Sequence, residues 1–189
     1  MINLLAVLKR FKAKKEFKKN ALVGDRFCCG FKSRCLNDGS IEQINIGSNV
    51  EIHGTLIVNG NGNIKIGNNV TIRHNTLVAS CSKIEIGNEV IISNNVTIMD
   101  NNSHPTDPSI RKKMSIEGPH SEFWKAIYAE TTPILIEDNV WICERAVILK
   151  GIKIGKGSIV ACDSVVTKVV PENCIVAGNP AKIVKYLNK

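Results

Sequence analysis

The chain has 189 residues, of which 43% are hydrophobic and only 5% aromatic, and 25 lysines and arginines against 17 acids give a formal charge of +8. This length supports one domain with a substantial core and a short appendage, and few rings beside abundant Ile, Val, Asn and Gly suit a scaffold of many thin, similar layers. The charge does not imply a nucleic-acid partner, because Lys9, Arg10, Lys12, Lys14, Lys15, Lys18 and Lys19 supply much of it and no nucleic-acid module follows them.

Residues 1–20 read as a basic amphipathic helix, with Leu4, Leu5, Leu8 and Phe11 at helical spacing and basic residues over the other positions. Two uses of that stripe stand open: lying on an anionic membrane surface, or packing against the main body or a neighbouring subunit, which we take as the default. The apolar residues at the very start are interrupted by Asn3 and followed by positive charge, the reverse of a signal peptide, and are too few to span a bilayer. The expectation is a cytoplasmic protein with peripheral membrane contact left open. Seven cysteines (28, 29, 35, 81, 143, 162 and 174) lack paired spacing and metal-ligand companions. They are expected to be reduced thiols serving as small apolar residues, with no metal bound.

Residues 20–44 are weakly patterned and suggest irregular first coils and turns. Then Ile46-Gly47-Ser48-Asn49-Val50, Ile66-Gly67-Asn68-Asn69-Val70 and Ile86-Gly87-Asn88-Glu89-Val90 repeat one phrase at a spacing of 20 residues. Each runs on into a second six-residue unit, and the pattern resumes after an interruption with Ile136, Ile142, Ile154 and Val160. A large aliphatic residue every six positions implies one short strand plus one turn per unit, with Gly or Asn taking positive φ at the corners. Three units close a triangular coil of about eighteen residues, and coils must stack in parallel to bury their aliphatic side chains. The longer early spacing implies an extra residue or two bulging from each early coil. An antiparallel sandwich would instead show strict alternation and hairpin turns. The resulting division is a β-helix domain over residues 21–170 with an inserted loop at 106–132, followed by a C-terminal tail at 171–189.

These repeats resemble the hexapeptide-repeat acyltransferases. Ser103-His104-Pro105, Asp138-Asn139-Val140-Trp141-Ile142, Val166-Thr167-Lys168 and Ala177-Gly178-Asn179-Pro180-Ala181-Lys182 bring the chain near the galactoside, maltose and polysaccharide O-acetyltransferase branch. The resemblance covers roughly residues 44–187. It implies an all-β fold, a left-handed parallel β-helix, against the usual right-handed crossover rule. It also implies acetyl-CoA as co-substrate and a homotrimer with its sites between subunits.

Acetyl transfer to a hydroxyl needs a base that titrates near neutrality, a donor for the oxyanion, and two substrates held side by side. The resemblance makes His104 that base, with Asp100 or a backbone carbonyl orienting its ring. It sets Ser93, Trp141, Glu144, Cys162, Thr167, Lys168, Lys182 and Lys185 at coenzyme A contacts. Glu144 stands where a small residue is expected; Cys162 is a small replacement. Arg73 and Cys81 occupy the positions of an asparagine and an aspartate that hold the sugar of galactoside acetyltransferase, so a simple galactoside is not implied. Arg73 is either a contact to an acidic sugar or a surface residue.

The inserted loop opens with Pro108, Arg111, Lys112 and Lys113, and residues 121–128 are expected to form a short helix. Trp124 on it could stack on a sugar, or its aromatics could pack against a neighbouring prism. His53 and His74 are expected at corners or facing solvent, and His120 is a weaker acceptor contact. The reading is an O-acetyltransferase acting on a sugar hydroxyl of a bacterial surface polysaccharide or its precursor. A xenobiotic O-acetyltransferase, an aminosugar N-acetyltransferase and a non-catalytic scaffold are the alternatives.

Overall fold

A computed structural model describes residues 4–124 and 128–187. The helical expectations for residues 1–3 and 125–127 therefore fall outside the described residues.

The chain winds into a three-sided prism. The first face stacks Leu22–Val23, Ile44–Ile46, Ile64–Ile66, Ile84–Ile86, Ile134–Ile136 and Lys153–Ile154. The second stacks Cys28–Cys29, Glu51–Ile52, Thr71–Ile72, Ile91–Ile92, Trp141–Ile142 and Ile159–Val160. The third stacks Arg34–Asn37, Thr55–Val58, Leu77–Ser80, Thr97–Met99, Val147–Ile148 and Val165–Val166. All these neighbours are parallel, and their registers align the inward residues into columns. Ile44, Ile64, Ile84 and Ile134 form one column, Ile72, Ile92 and Ile142 another, and Val78, Ile98 and Ile148 a third, all buried. The six-residue period thus becomes the core directly: each face of each coil removes at least one aliphatic side chain from water, and the first face adds a second column, Ile46, Ile66, Ile86 and Ile136.

The corners explain the remaining letters of the phrase. Asn49, Asn69, Glu89 and Asn139 take positive φ between the first and second faces, and Asn75, Asn95, Arg145 and Asp163 do so between the second and third. Asn supplies this conformation at least cost among residues with a side chain. Side-chain carbonyls then tie coil to coil: Ser48 N–H donates to Asn68, Asn68 N–H to Asn88, and Asn88 N–H to Asp138, at 2.7–2.9 Å. The glycine of the phrase is demanded by crowding. A Cβ on Gly67 would lie 2.6 Å from the Gly87 carbonyl oxygen of the next coil.

The extra residues of the early coils go to the third face and the turn after it. Strands Thr55–Val58 and Leu77–Ser80 are four residues long, whereas Val147–Ile148 and Val165–Val166 are two. The widened third face becomes one wall of a cleft.

Helix α1 (Leu4–Asn20) closes the top of the prism. Ala13 and Phe17 enter the core, where Phe17 meets Phe27 at 5.1 Å between ring centroids. Glu16 pairs with Arg34 at 2.9 Å and accepts from Cys35 N–H, and Arg10 donates to Cys28 Sγ at 2.7 Å. The leucine stripe does not pack against the prism, the first of the two packings expected of it. Leu4, Leu5, Val7, Leu8 and Phe11 are between 49% and 72% exposed, because the docking face is set by Arg10, Ala13, Glu16, Phe17 and Asn20 instead. At the other end, strand Cys174–Ala177 joins the second face in parallel, and Lys182–Tyr186 returns along it antiparallel. The segment 171–187 thus forms the edge of the second face. Among the described residues no helix is long and apolar enough to cross a membrane.

Candidate active site

Where the third face passes Met99, the chain leaves the prism. Ser103 takes a positive φ of 61°, its N–H donates to Asn101 Oδ1 at 2.8 Å, and His104 N–H donates to Asn102 O at 2.7 Å. This tight turn thrusts His104 into solvent while Pro105 behind it is buried. The insertion then forms helix α2 (Pro108–Glu117), with Asp107 accepting from Ser109 and Ile110 N–H as its N-cap and Pro108 in the first turn. The single turn Glu122–Trp124 follows. The short helix expected over 121–128 is thus a 3-10 turn over its described part, and the longer helix lies earlier. The Asp107-Pro108 pair was the sequence signal for it.

The insertion is fastened at its base. Asn101 and Thr131 pair across an antiparallel bridge, Asn102 N–H donates to Glu130 O, and Thr132 N–H donates to Asp100 O at 2.8 Å. The Glu130 carboxylate accepts from the Thr106 hydroxyl at 2.7 Å and from Asn102, and meets Lys150 at 3.5 Å. These contacts, the Thr106 hydroxyl first, hold its carboxyl below the usual range. Glu130 carries no sequence signature and emerges only from the fold.

Asp100 is committed elsewhere than to the histidine. Fully buried, it accepts from Ser80 Oγ at 2.6 Å, Cys81 N–H at 2.8 Å, Ser82 N–H at 2.9 Å and Asn101 Nδ2 at 3.2 Å. It pins the turn of the preceding coil and the root of the His104 loop together. The His104 ring instead meets the Trp124 indole, with centroids 5.1 Å apart at 82°. Trp124 is held in turn by its Nε1–H, which donates to the Met114 carbonyl at 3.3 Å. The packed α2 thereby positions the aromatic partner of the histidine.

Trp124 and Ser103 line an open cleft of about 600 Å³; His104, next to Ser103 in the chain and against the Trp124 indole, stands beside that lining without forming part of it. The floor of the cleft is the outward side of the third face, Ile57, Leu77, Ala79 and Met99, and its rim carries Asp38, Asn59, Cys81 and Asn101. An apolar floor with one indole and several amide and carboxylate groups suits a sugar ring with its hydroxyls. Cys81 lines this cleft with Trp124. Burial first, and then the Asp100 charge, push its thiol up, so it lines the cleft as a neutral group. Arg73 is not brought to the cleft. It follows Thr71–Ile72 at another corner, within electrostatic reach of Glu51 and His74. His120 is exposed on the insertion and does not line the cleft. The His53 and His74 rings meet tilted at 57° with centroids 4.4 Å apart, and His53 Nε2 lies 2.6 Å from Glu51.

A second group of residues lies along the second face. Half-exposed Trp141 pairs with Ile91 and Ile159 in adjacent coils and donates from Nε1 to Ser93 Oγ at 3.4 Å. Glu144 and Cys162 follow at the corner, where Glu144 accepts from Asn95 at 3.2 Å and contacts Arg145 at 3.3 Å. Ser93, Trp141, Glu144 and Cys162 therefore form one stripe. Thr167 and Lys168 lie apart from it, exposed after Val165–Val166 at the end of the third face, and Lys182 and Lys185 are exposed on the antiparallel edge strand. Among the described residues no group of three His, Cys, Asp or Glu side chains could hold a metal ion.

Comparison with known proteins identifies the repeat. Residues 133–168 match the family model described as bacterial transferase hexapeptide (six repeats). A 2,3,4,5-tetrahydropyridine-2,6-dicarboxylate N-acetyltransferase from Clostridium perfringens is 57% identical over 58 residues, 31% of this chain and 25% of that protein. The chain thus spans about a quarter of the length of the curated relatives it matches. Among solved structures, AntD, an N-acyltransferase from Bacillus cereus in complex with dTDP and 3-hydroxybutyryl-CoA, superposes with a TM-score of 0.71 at 21% identity, covering 93% of this chain and 88% of that one. A galactoside acetyltransferase in complex with coenzyme A does so with a TM-score of 0.61 at 21% identity, covering 99% and 84%. The chain carries the hexapeptide repeat and folds as the left-handed parallel β-helix of the hexapeptide-repeat acyltransferases.

Proposed function

We propose that the protein is an acetyl-CoA-dependent acetyltransferase whose acceptor is a sugar, and that His104 is its general base. The observation carrying this reading is the exposed imidazole held against Trp124, whose indole lines the cleft. The His104 ring accepts the acceptor proton as the acceptor oxygen or nitrogen attacks the thioester carbonyl. Backbone N–H groups stabilise the oxyanion. Its collapse expels the coenzyme thiolate, which takes the proton back from the imidazolium. Trp141, Ser93, Glu144 and Cys162 line the pantetheine path, while Thr167, Lys168, Lys182 and Lys185 meet the nucleotide phosphates.

The stripe carrying Trp141 and the cleft beside His104 lie on different faces of one prism. A trimer in which each groove takes the cleft of one subunit and the stripe of the next accounts for that separation. A cytoplasmic location fits the use of acetyl-CoA. For the acceptor, the hydroxyl of a surface polysaccharide or its precursor fits the rim of amides and the indole. An amino-sugar nucleotide is the second reading, favoured by the N-acyltransferases among the relatives and by the Asp38 carboxylate on the rim, which would attract an ammonium.

The test follows coenzyme A release with acetyl-CoA and matched acceptors that differ only in a hydroxyl or an amine on the same sugar ring. Turnover with the hydroxyl series supports the first reading, and turnover with the amine series alone replaces it by the second. No binding of coenzyme A by calorimetry would sink both and leave a scaffold.

A further inference from the structure

We propose that the exposed face of α1 is a docking surface for an anionic lipid membrane. The face is defined by what the helix does not use. Arg10, Ala13, Glu16, Phe17 and Asn20 are turned to the prism, each through a contact or burial. On the opposite side, Leu4, Leu8, Phe11, Lys12, Lys15 and Lys19 recur at helical spacing and are all exposed.

The chemistry is divided along the helix axis. Its first two turns present Leu4, Leu5, Val7, Leu8 and Phe11 to solvent, and the turns after them present lysines. The one acid of α1, Glu16, is spent on Arg34 and the Cys35 N–H, so nothing on the outward side offsets the lysines. An apolar tip flanked by basic residues fits a bilayer interface: the leucines and phenylalanine enter the acyl boundary, and the lysine stems reach the headgroups. Charge complementarity decides between occupants. A second copy of this chain would bring the same lysines against themselves, whereas phosphate-bearing lipids neutralise them.

Docking leaves the prism intact, since the anchoring residues of α1 stay on its inner side. It also does not depend on the acyltransfer reading, and the test can fail without touching that reading. The full chain is mixed with sedimentable vesicles of phosphatidylcholine alone or with about one third phosphatidylglycerol, at ionic strengths of about 0.1 M and about 1 M. Two variants accompany it: Leu4→Ser with Leu8→Ser and Phe11→Ser, and Lys12→Gln with Lys15→Gln and Lys19→Gln. All six positions are exposed, so thermal unfolding is expected to match the parent chain.

The expected result is binding to the anionic vesicles only, weakened at high salt. Loss of the three lysines should weaken it by roughly a hundredfold, and loss of the three apolar residues by about a hundredfold or more. Equal binding to both vesicle types, or to neither, overturns the proposal. So does an apolar variant that binds like the parent, which would reduce the contact to charge alone. A parent that ignores vesicles but changes oligomeric state with the apolar variant, seen by sedimentation velocity, makes the face an interface between copies and also overturns it.

Discussion

Replacing Asp100 by Asn separates a structural carboxylate from a catalytic one. The side chain is 0% exposed and accepts four hydrogen bonds, from Ser80 Oγ, Cys81 N–H, Ser82 N–H and Asn101 Nδ2. Asn keeps the shape but has only one acceptor oxygen. If that oxygen serves Cys81, the new amide group faces the Ser82 N–H, two donors with no acceptor between them. The Ser80 hydroxyl can turn to the Asn63 carbonyl, which it already approaches at 3.1 Å, so the loss centres on one stranded backbone donor and on weakened charge-assisted bonds. A buried unsatisfied group costs about 1–3 kcal/mol and a hydrogen bond to a charge contributes about 1.5–3 kcal/mol. Together they predict destabilisation of about 2–4 kcal/mol, a fall in Tm of roughly 5–15 °C for a domain of this size. Scanning calorimetry measures it. Acyl transfer below the melting transition should keep the parent pH profile, because none of the four bonds reaches His104. An unchanged Tm together with a lowered kinetic pKa for the base would refute the argument and make Asp100 the partner of the imidazole.

Other outcomes follow from the same geometry. Gly67→Ala puts a Cβ 2.6 Å from the Gly87 carbonyl oxygen; the coils must part, and a loss of about 1–3 kcal/mol is expected in denaturant unfolding. His74 is held below its ordinary pKa, chiefly by desolvation and then by the charges of His53 and Arg73, with Lys32 adding to them and Glu51 opposing. The folded state therefore resists its protonation, so stability is lost as pH falls from the unfolded value of about 6.5 through the folded pKa. Urea midpoints compared between parent and His74→Asn should show a shallower acid decline in the variant. Among the thiols, Cys162 is exposed, whereas burial pushes Cys35 up to about 12 and Cys143 up to about 11. Alkylation near neutral pH read by mass spectrometry should modify Cys162 early and spare Cys35 and Cys143 until the chain unfolds.

The prism was legible in the sequence because its period is a property of one residue in six. Ile46, Ile66 and Ile86 announce a column before any coordinate is known, and Asn49, Asn69 and Asn139 announce the corners. Glu89, Arg145 and Asp163 show the limit of the rule, since the stacked coils hold them in the same positive-φ corner without Asn or Gly. His104 was legible by its place where the repeat stops and by the Ser103-His104-Pro105 phrase. Its surroundings were not. Trp124 reaches the histidine only because α2 carries it back across the cleft, and Glu130 matters only because the two ends of the insertion meet at Asn101 and Thr131. Asp100 illustrates the reverse case: close to His104 in the chain, it points into the prism. For α1, periodicity found the apolar stripe but could not tell which face the prism would take. The choice fell to Phe17 and the Glu16–Arg34 pair.

The measurement that bears most directly on the account is acetyl transfer by His104→Ala beside the parent chain, with coenzyme A affinity followed by calorimetry in both. The side chain is exposed and its ring touches only Trp124 among the groups described above, so the prism and the Trp141 stripe should be unaffected. Coenzyme A affinity is expected to be unchanged and kcat to fall by about 10²–10⁴-fold. Parent-like turnover in the variant would contradict the assignment of His104 as the base.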